Sequence, residues 1–239
     1  MIAGIHQHHY FPWMGYMDKM AKSDVFILLD RVQLTDASYM FRHQLLAKNG
    51  EKKYITIPFQ KKGYMDRPYN ELEINTAVDW QTRQKNFIWD NYRRHPYYDQ
   101  IWAEIEPIFT EKYDYLWQVT DASVHIMRRL LDVQTPLVYQ SALGETEGKK
   151  SDYLIQLLRQ VGADSYLSGN GARKYMDMQM FADAGIRVVY QSFKLPEYPQ
   201  KNTSVFVPGI SGLDVLFNCG IDETRRIFWE NVRAGQEEI

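Results

Sequence analysis

The chain has 239 residues, 45% of them hydrophobic and 24% charged, with a formal net charge of -2 and a sequence pI of about 6.3. This is the composition of a soluble globular protein, and it excludes a dedicated nucleic-acid binder, which would carry a basic stripe. A single cysteine, Cys219, excludes an intramolecular disulfide framework and fits a reducing compartment. No apolar run approaches the roughly 20 residues that span a bilayer, and no basic region followed by an apolar core marks a secretory leader. The expected location is therefore cytoplasmic.

In chain order, residues 3–7 read as a short buried strand. A helix is expected from Pro12, a residue tolerated in a first helical turn, to residue 21 or 22, where Ser23-Asp24 breaks it. The run 25–30, apolar until it ends in Asp30, has the pattern of a strand buried on both faces. Residues 33–46 are mixed, and Asn49-Gly50 signals a turn. A third strand is read at 54–59, closed by Pro58, then a polar loop at 61–68 and a short strand at 71–74. Helices are expected at 79–92, 97–110 and 116–131, a strand at 136–139, and a helix at 151–161 with Leu154, Leu157, Leu158 and Val161 at helical spacing. The last third alternates again. Strand 164–168 enters a Gly-rich turn, helix 172–184 stops at Gly185, and strand 186–191 leads into an extended segment at 195–208. Helices at 213–218 and 221–234 close the chain. Strand–helix–strand order at both ends predicts an α/β fold, a doubly wound, mostly parallel, Rossmann-like sheet with a helical insertion. One domain over 1–239 is expected, with a helical lobe at about 79–135.

The densest chemistry lies where the first strand meets the first helix. His6, Gln7, His8 and His9 are followed by Tyr10-Phe11-Pro12-Trp13, then Gly15-Tyr16 and Lys19. Ligands of open α/β sheets bind at the carboxyl ends of strands, and a helix N-terminus there favours an anion. A neutral imidazole at His6 can donate to a phosphate oxygen or work as acid or base near neutral pH. The competing reading makes His6 a core histidine and Trp13 and Tyr16 helix packing. His6 and His8 share a strand face, yet no cysteine accompanies them and no helical His-x-x-x-His pair exists. A structural metal is therefore not expected.

A second constellation is Ser168-Gly169-Asn170-Gly171, followed by Arg173-Lys174. Small residues after a strand let backbone N–H groups approach a phosphate, and Arg173 can neutralise it; turns also use glycine for backbone reasons alone. The two turns are expected at one sheet edge. Asp30 can accept from a sugar hydroxyl, or cap a turn or pair with an arginine. Arg42 is a candidate anion ligand, and Cys219 reads as a small buried residue.

The blocks His6-Gln7, Tyr10-Phe11-Pro12-Trp13, Gly15-Tyr16 and Lys19 resemble the WbqC-like family of bacterial surface-polysaccharide gene clusters. The resemblance continues through Ser23-Asp24, Leu29-Asp30, Val32-Gln33 and Arg42. It resumes at Ser168-Gly169-Asn170-Gly171 and Tyr175, then Gly185-Ile186, Tyr190-Gln191-Ser192-Phe193 and Tyr198-Pro199-Gln200. It closes with Ser211, Leu213-Asp214, Leu216-Phe217-Asn218 and Gly220. His8 stands where the family usually has Pro, adding a titratable group beside His6, and Phe41 stands where an Asn often precedes the Arg. The layout is similar, more distantly and by analogy only, to HUP-type nucleotidyltransferases, in which such turns hold nucleotide phosphates.

The resemblance implies a transferase of O-antigen or capsule biosynthesis, moving an acyl or aminoacyl group to a nucleotide-activated amino sugar. A glycosyltransferase, or a non-catalytic nucleotide- or sugar-binding protein, is the alternative. His6 would stabilise phosphate or act as acid/base. Gln7, Trp13, Lys19, Asp30, Arg42, Ser168, Gly169, Asn170, Gly171 and Arg173 would hold the substrate. ATP or a nucleotide sugar is the implied small molecule, and homo-oligomerisation is left open.

Overall fold

A computed structural model describes residues 1–34, 38–174 and 176–236; Tyr175 lies outside them. In chain order the elements are β1 (Ile2–Gln7), α1 (Met14–Ala21), β2 (Val25–Leu29), β3 (Arg42–Leu46), β4 (Lys52–Thr56), α2 (Trp80–Tyr92), α3 (Tyr98–Ile105), α4 (Pro107–Thr110), α5 (Leu116–Leu131), β5 (Leu137–Tyr139), α6 (Ser151–Gln160), β6 (Ser165–Ser168), α7 (Met178–Asp183), β7 (Arg187–Tyr190) and α8 (Gly212–Gln236).

Five strands form a parallel sheet in the order β5-β2-β1-β6-β7. The chain builds outward from β1 through β2 to β5, then returns to place β6 and β7 on the other side. The order thus reverses between β1 and β6. Strand alternation sorts the apolar side chains onto two faces. Ala3, Ile5, Val25 and Ile27 join Leu157, Leu158 and Phe181 in one core. Phe26 and Leu28 join Met17, Met20, Leu213, Leu216 and Phe228 in the other. Helices cover both faces, as a parallel sheet requires. Gly4 lets this happen at the centre, because a Cβ there would stand 2.6 Å from the Phe26 ring. The sheet is thus the Rossmann-like, doubly wound arrangement read from the sequence. No helix among the described residues is long and apolar enough to cross a membrane.

The departures have local causes. The mixed segment 33–46 contains β3, which pairs antiparallel with β4 around the Asn49-Gly50 turn. The strand read at 54–59 is therefore a hairpin arm, shifted to Lys52–Thr56, and not part of the main sheet. The segment 71–74 makes only isolated bridges, Phe59 with Ile74 and Glu73 with Tyr115. Pro107, which lacks an N–H, opens α4 and divides the helix expected at 97–110. The helix expected at 172–184 is two pieces. Asn170–Lys174 is a 3-10 turn, and α7 starts after Asp177, whose carboxylate accepts from the N–H groups of Gln179 and Met180. The two closing helices are present as read, the two halves of α8 on either side of a kink at Gly220, a non-helical position at φ 77° whose added Cβ would meet the Tyr97 ring at 2.6 Å.

Candidate functional site

A reversal of strand order leaves a crevice, because the helices on either side run to opposite faces of the sheet. Here it is a cleft of about 470 Å³ at the carboxyl ends of β1 and β6. His6 and Gln7 come from β1, Lys19 from α1, Leu29 from β2 and Leu154 from the first turn of α6. Tyr166 and Ser168 come from β6, and Gly169, Gly171 and Ala172 from the turn after it. The two turns singled out in the sequence therefore meet at one sheet edge.

Lys19 is the most unusual of these residues. Its helix is buried from Met14 to Met20, so the lysine stem cannot lead its ammonium to bulk water. Nζ donates to the Ile5 carbonyl at 2.7 Å and stands 5.6 Å from the Tyr166 ring centroid. Burial pushes its pKa down to about 7. The neighbouring Asp18 does not pair with it. Asp18 is 2.9 Å from Lys22 and accepts from Gln191 Nε2 at 2.7 Å, and the Gln191 amide also donates to the Gly15 carbonyl.

His6 has a fixed tautomer. Its Nδ1 lies 3.1 Å from the Gln7 carbonyl, which can only accept, so Nδ1 carries the hydrogen and Nε2 the lone pair. Burial, and secondarily the charge of Lys19, pushes its pKa down to about 3. Desolvation thus works against the expected role as an acid or base near neutral pH. His6 is a neutral ring whose free nitrogen accepts from a hydroxyl or amine. Its Nδ1–H is already held by the Gln7 carbonyl, and Lys19 supplies the lysine of the cleft lining. No residue of the first turn of α1 lines the cleft.

The turn after β6 is open. Neither Gly169 nor Gly171 has a positive φ, and a Cβ built on either meets nothing within 4 Å. Ser168 Oγ donates weakly to the Gly169 carbonyl and to Met176 Sδ.

The other candidates lie outside the lining, each engaged elsewhere. Asn170 Nδ2 donates to the Gln191 carbonyl, and its Oδ1 accepts from Arg173 Nε. The Arg173 guanidinium stacks 3.9 Å from the Tyr190 centroid. Trp13 precedes α1 and meets Phe193 edge-on. Asp30 is buried and accepts from the Ser141 N–H at 2.9 Å, which makes it a turn cap. Arg42, on β3, lies over Tyr54 at 4.2 Å.

Sequence reasoning missed a second polar group beside the cleft. His8 is fully buried, with Nε2 3.3 Å from Asp121 Oδ1 on α5. Tyr139 Oη donates to the same oxygen at 2.8 Å, and His125 Nε2 lies 3.6 Å from the other. The readable trace was the i,i+4 spacing of Asp121 and His125 on one helix face. Among the described residues, no group of three or more His, Cys, Asp or Glu side chains is placed to hold a metal ion. A larger groove of about 650 Å³ runs along the second half of α8. Its Arg226 is already paired with Glu223 and Glu230, and burial pushes the Cys219 thiol up to about 11. That groove lacks both the available cation and the reactive thiol that chemistry would use.

Residues 7–226 match the WbqC-like protein family. An uncharacterized protein of Mycobacterium tuberculosis, Rv1507c, is 31% identical over 227 residues, covering 90% of this chain and 93% of its own length. No solved structure matches the chain. With a family match across nearly its whole length and a relative aligned almost end to end, the chain belongs to the WbqC-like protein family.

Proposed function

We propose that the protein is a transferase of bacterial surface-polysaccharide assembly that binds a nucleotide-activated amino sugar in the β1–β6 cleft and moves an acyl or aminoacyl group onto it. The observation that carries this reading is Lys19, a buried ammonium with a single carbonyl partner. Burying a cation is costly unless it is paired, and a diphosphate would supply the missing negative charge. The open turn at Gly169 and Gly171 leaves room for phosphate oxygens to approach backbone N–H groups. His6 Nε2, an acceptor, suits an amine or hydroxyl of the sugar. A single α/β unit would present both walls of the site, with the helical lobe at about 79–135 outside the lining.

Calorimetric titration with a nucleotide diphosphate-linked amino sugar tests the reading. Micromolar binding by the unsubstituted chain, weakened at least about tenfold in Lys19→Met, is the expected result. Mass spectrometry with acyl thioesters or acyl adenylates as donors should then show the acceptor heavier by one acyl group. A product heavier by one sugar would favour a glycosyltransferase. No affinity for any diphosphate-linked sugar would end the proposal.

A further inference from the structure

The two edges of the β3–β4 hairpin are finished differently. Along the outer edge of β3, the Gln44 carbonyl accepts from the Ser211 N–H at 3.0 Å, and the Leu46 N–H donates to Tyr92 Oη at 2.9 Å. The Leu46 carbonyl accepts from Asn202 Nδ2. On β4, Ile57 donates inward to the Phe41 carbonyl, and Glu51 accepts inward from Ala47. An antiparallel ladder alternates, so Lys53 and Ile55 also face β3, and the backbone groups of Lys52, Tyr54 and Thr56 face away from it. Among the described residues, only the Thr56 carbonyl has an outward partner. That partner is Gln84 Nε2 at 3.0 Å, and Gln84 is itself held by Tyr10 Oη at 2.7 Å.

The same edge is paired a few residues on. Gln60 donates to the Glu73 carbonyl at 2.9 Å, and Asn75 donates to the Pro58 carbonyl at 3.0 Å. Segment 73–75 thus begins a third strand along the hairpin. It goes no further because the chain turns away through Val78 into α2, whose first turn Asp79 caps. The third-strand position beside Tyr54 and Thr56 is left as a groove of about 360 Å³ between the β4 edge and α2. Tyr54 and Thr56 form one wall, and Trp80, Arg83 and Phe87 the other.

A strand edge with unmet donors and acceptors is a template for another strand. Where apolar side chains flank it, an extended peptide gains affinity from backbone bonds and specificity from its alternate side chains. Arg83 sets the charge of that peptide. It is the one charged residue of the lining, is exposed, and has no ion pair among the described residues. Lys52 is exposed on the same edge, while Lys53 is paired with Glu51 at 2.6 Å. Edge lysines also guard a sheet against like edges, since a second copy would set Lys52 and Arg83 against themselves. Guarding accounts for the lysines but not for an apolar groove beside them. The charge suits a segment of opposite sign.

We propose that the β4–α2 groove binds an extended, acidic peptide segment of a partner protein by strand addition. The site shares no lining residue with the β1–β6 cleft, and the proposal does not rest on the transferase reading.

A displayed library of random linear peptides, panned on the folded full chain, supplies the probes. Enriched peptides are expected to carry Asp or Glu among β-branched residues. Once synthesised, they should slow amide exchange at Lys52, Tyr54 and Thr56, and methylation of alternate peptide nitrogens should abolish binding. Arg83→Gln, a surface substitution that leaves the fold intact, should weaken binding about three- to tenfold. Replacing the peptide carboxylate by its amide should cost the unsubstituted chain as much, and cost Arg83→Gln nothing further. The proposal is overturned if no enriched peptide protects those three amides, if methylated peptides bind equally well, or if binding ignores both Arg83 and the carboxylate. Protection of the same amides without peptide, rising with chain concentration, would make the edge a dimer interface and overturn it as well.

Discussion

Two buried charge-bearing side chains of this fold are treated in opposite ways. Asp214, at the start of α8, is 1% exposed and accepts from Tyr92 Oη at 2.7 Å, Tyr198 Oη at 3.0 Å and Gln200 Nε2 at 3.1 Å. Its donors tie α8 to α2 and to the extended segment before it. Lys19 is 3% exposed and has one carbonyl partner for three hydrogens. Where the chain needs a buried charge to hold elements together, it surrounds that charge. In the cleft it leaves the charge short of partners, and a deficit of that kind is what a ligand of opposite sign can fill.

The largest expected effect separates these two roles. Asp214→Leu strands two buried hydroxyl donors, those of Tyr92 and Tyr198, and should lower unfolding free energy by about 3–5 kcal/mol in urea titration. Pyrophosphate affinity of the folded fraction should not change. A loss below about 1 kcal/mol would mean that the network is not what holds α8 in place.

Acid comes next. His6 and His43 are pushed down to about 3, and His9 falls well below its usual value, in each case chiefly by burial. The unfolded chain takes up these protons below about pH 6.5, before the folded one does. Stability therefore falls as pH drops from about 6.5 toward 3, by up to about 1.4 kcal/mol per pH unit for each histidine. Asp18 and Asp214, whose carboxyls are raised chiefly by burial, act in the opposite sense and offset part of the fall. Urea midpoints that stay level between about pH 7 and 5 would show that these rings are not buried as neutral groups.

Lys19 has its own window. Its folded pKa near 7 lies below the unfolded 10.5, so the unfolded chain holds more protons between those values. Its contribution makes stability rise with pH across that interval. Lys19→Met should abolish that rise, and at about pH 7 should leave the chain as stable as before or about 1 kcal/mol more so. A marked destabilisation would make Lys19 a structural residue like Asp214 and remove the contrast between the two.

The sheet was legible because its pattern is local. Val25 to Leu29 alternate between two cores that both need apolar side chains, and β1 and β6 end at recognisable turns. The β3 arm was not, because Arg42-His43-Gln44-Leu45-Leu46 buries His43 beside Leu45 and so hides the apolar alternation. In the candidate site, strand ends bring His6, Gln7 and the glycine turn together, and backbone position alone suffices for that. Side-chain direction depends on distant partners. Asp30 turns to Ser141, 111 residues away, and His8 to Asp121, 113 residues away. Nothing near either residue in the sequence encodes those contacts.

The smallest effect on stability is the sharpest test of the turn after β6. At Gly4 the fold itself demands glycine, since a Cβ there would lie 2.5 Å from Ser23 Oγ, and Gly4→Ala should cost about 1–3 kcal/mol by overpacking. Gly169 and Gly171 are under no such demand. Neither has a positive φ, and their added Cβ atoms meet nothing within 4 Å. Alanine at either should change stability by less than about 0.5 kcal/mol. The methyl group would nevertheless occupy space in the cleft wall where a phosphate would approach the backbone. Pyrophosphate binding should weaken about three- to tenfold, or about 0.7–1.4 kcal/mol, without a matching change in the urea midpoint. If Gly171→Ala is as stable as the parent and binds pyrophosphate equally well, glycine is required there neither by the fold nor by a ligand. The anion would then have to be held by Lys19 and the β1 end alone.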